Sequence, residues 1–154
     1  MKYLKNILFL LVFMFMGISS SFAEIYVDID SGNIEPISIA IMDFDGSNVF
    51  NKDIGKKISD VISNDLKRSG LFAPIPSESF IDKKQNVADL PKFENWTVIN
   101  AQALLYGNIT STDNGKLRVE FHLWDVPAQQ RIEGQALITE KTNWRRIAHI
   151  IADY

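Results

Sequence analysis

His122 and His149 are the only imidazoles in this chain of 154 residues, and there is no cysteine. One histidine falls on a predicted strand and the other on a predicted helix. Neither has a cysteine partner or an H-E-x-x-H spacing, so the pattern of a zinc site is missing. They read as an exposed strand residue and a helix-surface or packing residue. No G-x-S-x-G elbow, Walker loop or G-x-G-x-x-G turn occurs. Asp43-Phe44-Asp45-Gly46 begins like a calcium loop but lacks the Asp/Asn alternation and the closing glutamate, so it reads as a strand-ending turn. Phe72, Phe93, Trp96, Trp124 and Trp144 are dispersed, as core residues are. The expectation is a protein that is not an enzyme and carries no metal or cofactor.

What remains is a segment that could act through its backbone. Lys2 and Lys5 precede an unbroken apolar run from Ile7 to Met16, and Ser21-Phe22-Ala23 puts small residues where signal peptidase reads them. This is the pattern of a secretory signal, with cleavage between Ala23 and Glu24. The run is shorter than the roughly 20 residues a spanning helix needs, which ranks an uncleaved anchor second. The cleaved chain is not expected to span a membrane. Its new end would be Glu24, Ile25, Tyr26, Val27, Asp28 and Ile29, an alternating strand. Such a strand can pair within its own domain or add to a partner's sheet edge through the same backbone hydrogen bonds.

Composition narrows the partners. The net charge of −3 falls by two, to −5, when the two signal lysines are removed. That argues against nucleic acid and anionic membrane surfaces, which reward clustered Lys and Arg. Without cysteine an exported chain has no disulfide framework, so its core must hold it together. The residues from 24 to 154 suffice for one compact domain.

The elements that would carry this end follow from periodicity. Pro36 precedes a strand from Ile37 to Phe44, with Ile37, Ile39 and Ile41 on one face and Ala40 and Met42 on the other, as in a strand buried on both sides. Asn51 is expected to cap a helix, with Asp53 in its first turn. Ile54, Ile58, Val61, Ile62 and Leu66 form its apolar stripe, and Lys67, Arg68 and Gly70 its C-terminal signals. Leu71 to Pro76 reads as a short edge strand or extended link. Ser77 to Pro91 reads as an irregular stretch anchored by Phe80, Ile81, Val87 and Leu90. A short helix follows from Phe93 to Asn100, with Trp96 and Ile99 inward.

Three strands close the pattern. Gln102 to Ser111 meets the turn Asp113-Asn114-Gly115. Lys116 to Val126 alternates, with Leu117, Val119, Phe121 and Leu123 inward and Arg118, Glu120 and His122 outward. After Pro127 to Gln130, the strand Arg131 to Glu140 offers Ile132, Gly134, Ala136 and Ile138 as its apolar face. A last helix carries Trp144, Ile147, Ala148 and Ile151, and stops in mid-pattern at Tyr154. The expected fold class is α/β: a mixed, mostly antiparallel sheet of about five strands with helices packed on it.

The ordered motifs resemble the N-terminal domain of the TolB family. Pro36 to Phe44 resembles its "P-I-x-V-x-P-F" strand, and Ile54 to Phe72 its "I-x-x-V-I-x-x-D-L-x-x-S-G-x-F" helix. Trp96 through Ala103-Leu104-Leu105-Tyr106-Gly107 is similar to "W-x-x-x-x-A-x-x-V-V-x-G". Leu123-Trp124-Asp125-Val126 is similar to "L-x-D-V", and Arg146 to Asp153 to "R-x-x-A-H-x-x-A-D". The resemblance implies a periplasmic component of the Tol–Pal system, which keeps the outer membrane intact and draws it inward at division. It implies that Glu24 to Ile29 bind the periplasmic C-terminal domain of TolA. In the family a six-bladed β-propeller follows and binds Pal. This sequence stops before one, so Pal binding is not expected of it, and a truncated or split gene, or a fragment, is inferred. The alternatives are a periplasmic module for a small ligand or envelope polymer, and a non-functional fragment of a longer TolB gene.

Overall fold

The computed structural model describes residues 35–154. Its strands are β1 (Ile37–Ile41), β2 (Asp45–Gly46), β3 (Phe72–Pro74), β4 (Ala103–Ser111), β5 (Leu117–Asp125) and β6 (Gln130–Thr139). Its α-helices are α1 (Val49–Ser69), α2 (Phe93–Thr97) and α3 (Trp144–Ala152). The sheet runs β3-β1-β4-β5-β6, with β2 also beside β4. β1 pairs in parallel with β3 and β4, and the long β4-β5-β6 meander is antiparallel. The expected mixed, mostly antiparallel sheet is present.

β1 lies between β3 and β4 and is apolar on both sides, so each face of the sheet has its own core. Ile39 and Ile41 join Ile54, Ile58 and Ile62 of α1, Ile147 and Ile151 of α3, and Val119 and Phe121 of β5. Ala40 and Met42 join Phe80, Trp96, Leu104, Tyr106 and Trp124 beneath the segment that links β3 to β4. The period-2 pattern of β1 therefore separates two layers, and neither layer could be lost without exposing half of that strand. β3 is the edge that tolerates Pro74, as the sequence suggests.

α1 starts three residues earlier than expected. Asn48 is its N-cap, in extended backbone, and its side-chain oxygen accepts from the Asn51 N–H at 2.9 Å. Asn51 is thus inside the first turn and fully buried. Its Nδ2 donates to Ser47 Oγ at 3.0 Å and, at 3.4 Å, to the Ile109 carbonyl and Ser111 Oγ. Periodicity misplaced the cap because Val49 and Phe50 are exposed apolar residues in the first turn. Asp53 lies beyond that turn and instead pairs with Lys57 at 2.6 Å, an exposed i,i+4 contact worth a few tenths of a kcal/mol at most, of order ~0.3. The C-terminus is as expected. Gly70 has φ 74, and its N–H donates to the Lys67 carbonyl at 3.2 Å.

Two other expectations are corrected. In the β3–β4 link Phe80 is buried and Val87 half-buried, but Ile81 and Leu90 are exposed. Burial there depends on which residues the link turns toward the sheet, which hydrophobicity alone does not encode. In β6 the apolar set Ile132, Gly134, Ala136 and Ile138 is not a core face: Ile132 and Ile138 are 60% and 62% exposed. Leu137, on the opposite side, packs against the first core. Gly134, Ala136 and Ile138 sit opposite His122, Glu120 and Arg118 in the register. That is the face of the β3–β4 link, and the link does not extend over Ile138. A register shift between Leu123 and Trp124 then displaces Ile132 from the alternation.

Candidate functional site

An apolar groove opens on the helix side of the sheet. Its floor is Ile37 and Ile39 of β1, Leu105 of β4, and Phe121 and Leu123 of β5; Leu66 of α1 and Ile151 of α3 also line it. Asp125, Asp153 and Tyr154 bring polar groups to it, and its volume is about 610 Å³. The groove is built from odd-numbered strand residues that the pleat puts on one side, at the end of the sheet where α1 and α3 finish. Volume and lining are those of a small-molecule or peptide site: concave, mainly apolar, with few polar groups. Sequence reasoning missed it. The signal was there only as the apolar alternation of β1 and β5, which reads the same for a filled core.

The second face holds the chemistry-bearing side chains. His122 is buried, not exposed, and this corrects the expectation for β5. The odd residues of β5 face the helices, while its even residues are covered at one end by the β3–β4 link. His122 stacks edge-on with Tyr106 at 5.8 Å and Trp124 at 6.3 Å, and Arg131 lies 6.0 Å over the Trp124 ring. Gly134 opposite makes room, since a Cβ there would stand 3.1 Å from His122 Cδ2. Burial, aided by Arg131, holds the His122 pKa below its usual value, against the pull of Glu120 3.9 Å away. Burial pushes the Tyr106 hydroxyl upward, against opposing pulls from Trp124 and Arg131. That hydroxyl donates to the Asp89 carbonyl at 3.1 Å.

This sets the sign of a pH effect. Unfolded His122 protonates near the ordinary histidine value of about 6.5, and the folded one only at lower pH. Between the two the unfolded chain binds more protons, so stability is lost as pH falls through that window and this contribution is flat above it. A ¹H–¹⁵N titration should place the His122 pKa below that of a histidine peptide. His122→Asn should remove that part of the difference between urea melts at pH 7.5 and pH 5.

His149 is half-exposed on α3, and its Nδ1 lies 2.5 Å from Asp65 Oδ2 on α1. Asp65 also takes Arg68 at 2.5 Å. The pair ties two helices together, which agrees with the packing reading of His149. His122 and His149 lie on opposite faces of the sheet and form no joint site. Among the described residues no three or more His, Asp and Glu side chains are grouped to hold a metal ion. No helix among them is long and apolar enough to cross a membrane. The expected partner-binding residues Glu24 to Ile29, and the cleavage site at Ala23 and Glu24, lie outside the described residues.

Comparison with known proteins supports the same assignment of type. Among solved structures the chain is similar to TolB from Acinetobacter baumannii, with a TM-score of 0.61 and 23% identity. That match covers 77% of this chain and 27% of the other, so the chain spans about a quarter of the length of that TolB. It is also similar to the C-terminal domain of LpoB from Salmonella enterica, at TM-score 0.52 and 12% identity, covering 73% of this chain and 87% of that one. The LpoB C-terminal domain from Escherichia coli matches at TM-score 0.51 and 12% identity, over 71% and 87%. At these identities the likeness is one of fold. The family assignment rests on sequence, because the model of the TolB amino-terminal domain matches residues 25–132, from the alternating segment into β6. On that match, and on a sheet with the architecture the motifs imply, the chain belongs to the TolB amino-terminal domain family.

Proposed function

We propose that this protein is a periplasmic interaction component of the Tol–Pal envelope system, supporting outer-membrane integrity and invagination at division. In this reading the signal is removed between Ala23 and Glu24, and residues 24–154 form the working domain. Glu24, Ile25, Tyr26, Val27, Asp28 and Ile29 then add as a strand to the periplasmic C-terminal domain of TolA. The observation that carries it is the family match, which begins at residue 25 and so takes in this segment. Supporting it is the alternation of Ile25, Val27 and Ile29, the pattern a β-augmenting strand needs: backbone bonds for affinity, one apolar face for specificity.

Calorimetric titration of residues 24–154 with the TolA domain tests it, beside a copy starting at Pro36. Burying even two of the three aliphatic side chains contributes roughly 3 kcal/mol, so the shorter copy should bind about 100-fold more weakly or not at all. Equal binding by both copies would remove the strand from the mechanism.

A second reading has the apolar groove behind it: a module that docks a small apolar ligand or part of an envelope polymer. A fluorescent fatty acid should then saturate one site, with the same affinity in the copy that starts at Pro36. No saturable signal would remove that reading.

A further inference from the structure

The apolar groove on the helix side of the sheet carries charge of one sign. Two carboxylates line it, Asp125 at the end of β5 and Asp153 just beyond α3, and among the described residues no Lys, Arg or His does. Neither carboxylate takes part in an ion pair among those residues. Asp125 Oδ1 accepts from the Ala128 N–H at 2.8 Å, a bond that leaves its charge uncompensated. The bases next in sequence to the lining are turned elsewhere. Lys67, beside Leu66, is exposed and does not line the groove. Arg131, beside Ile132, lies over the Trp124 ring. α3 finishes at Ala152, which also lines the groove, and the carbonyl end of the helix adds partial negative charge there.

The wall after Asp153 is aromatic. Tyr154 leans on Phe121 with ring centroids 5.5 Å apart, and its own ring is exposed while Phe121 is fully buried. An aromatic face and a carboxylate favour the same guest group, because both attract a cation. An anionic head would be repelled by two carboxylates with no base to answer it. The aliphatic floor sets the other half of the guest, since burying it in exchange for water requires an apolar body.

We propose that the groove binds a small amphiphilic amine, with an aliphatic body on the floor and a protonated amine in the field of Asp125, Asp153 and the Tyr154 ring. This rests on the second reading above, in which the groove docks a small apolar ligand, and it names the head that ligand carries. The chain of the guest supplies the binding common to all heads. The lining then ranks the heads: ammonium above hydroxyl, and hydroxyl above carboxylate.

The test is a methyl ¹H–¹³C titration of the protein with octylammonium, 1-octanol and octanoate, three guests of one chain length. Octylammonium should give saturable shifts at Ile37, Leu123 and Ile151 and bind about tenfold more tightly than octanol. Octanoate should bind more weakly than octanol. Asp125→Asn and Asp153→Asn should each weaken octylammonium about threefold and leave octanol unchanged, which also shows the groove intact. Equal affinity of the three guests, tighter octanoate, or unchanged octylammonium in both variants overturns the proposal and leaves the small-ligand reading standing. No saturable shift with any guest overturns both. A Leu-Lys-Leu peptide that saturates the groove where octylammonium does not would give it to a polypeptide partner, and that also overturns the proposal.

Discussion

Gly55→Ala is expected to cost the domain about 3 kcal/mol or more, although alanine at an open helix position would add up to roughly 1 kcal/mol. Gly55 is a buried residue in the interior of α1. A Cβ there would meet the Phe44 carbonyl oxygen at 2.0 Å and the Phe44 carbonyl carbon at 2.9 Å. Both are backbone atoms, so no side-chain rotation relieves the clash. Either α1 lifts from the sheet or the chain after β1 shifts, and each route opens the core around Phe44, Ile54 and Ile58. Gly107 stands against the phenyl ring of the same residue. A Cβ there would lie 2.4 Å from Phe44 Cδ1 and Cε1 and 2.4 Å from the Glu120 carbonyl oxygen. Phe44 thus needs a helix glycine against its backbone and a strand glycine against its ring. Set against a usual domain stability of about 5–15 kcal/mol, either alanine takes a large fraction. Urea melts followed by circular dichroism should show both midpoints well below the parent. A midpoint for Gly55→Ala equal to or above the parent would mean that helix propensity outweighs the close approach.

Trp96→Ala should cost a similar amount, about 3–5 kcal/mol, but with a different signature. Trp96 is completely buried in the second core and meets Phe80 edge-on with ring centroids 5.3 Å apart. It holds the β3–β4 link onto the sheet, where regular structure is sparse and side-chain packing stands in for it. Its removal should first free the link, so amides near Phe80 and Ala101 should lose exchange protection before those of α1 do. Trp96→Phe should be much milder. The indole Nε1 is buried with no hydrogen-bond partner among the described residues, so phenylalanine sheds a costly polar group while keeping most of the ring. Hydrogen exchange by mass spectrometry separates the two outcomes. Uniform loss of protection across both layers would mean that the link and the helices unfold as one unit.

The elements that sequence alone determined are those whose signals are local. The α1 stripe, the Gly70 cap, the turn at Gly115 with φ 73 and the β4-β5-β6 meander were all legible, because 3.6 and 2.0 residue periods and a few turn residues specify them without reference to distant chain. The two-sided burial of β1 was legible for the same reason. The family was legible because its motifs recur in order along the chain. Tertiary structure decided what depends on which surface meets which. Asn51 and not a solvent-facing cap lies under α1, because Asn48 reaches its N–H and β4 offers it carbonyl and hydroxyl partners. His122 is buried while Arg118 on the same face is only half-covered, because the covering link ends between them. Ile132 and Ile138 are exposed because β6 is the last strand of the sheet among the described residues and neither layer covers those two positions, although Leu137 packs against the first core. The apolar groove arises where separate elements stop short of one another. Periodicity states which residues share a face; only packing across distant parts of the chain states whether anything covers it.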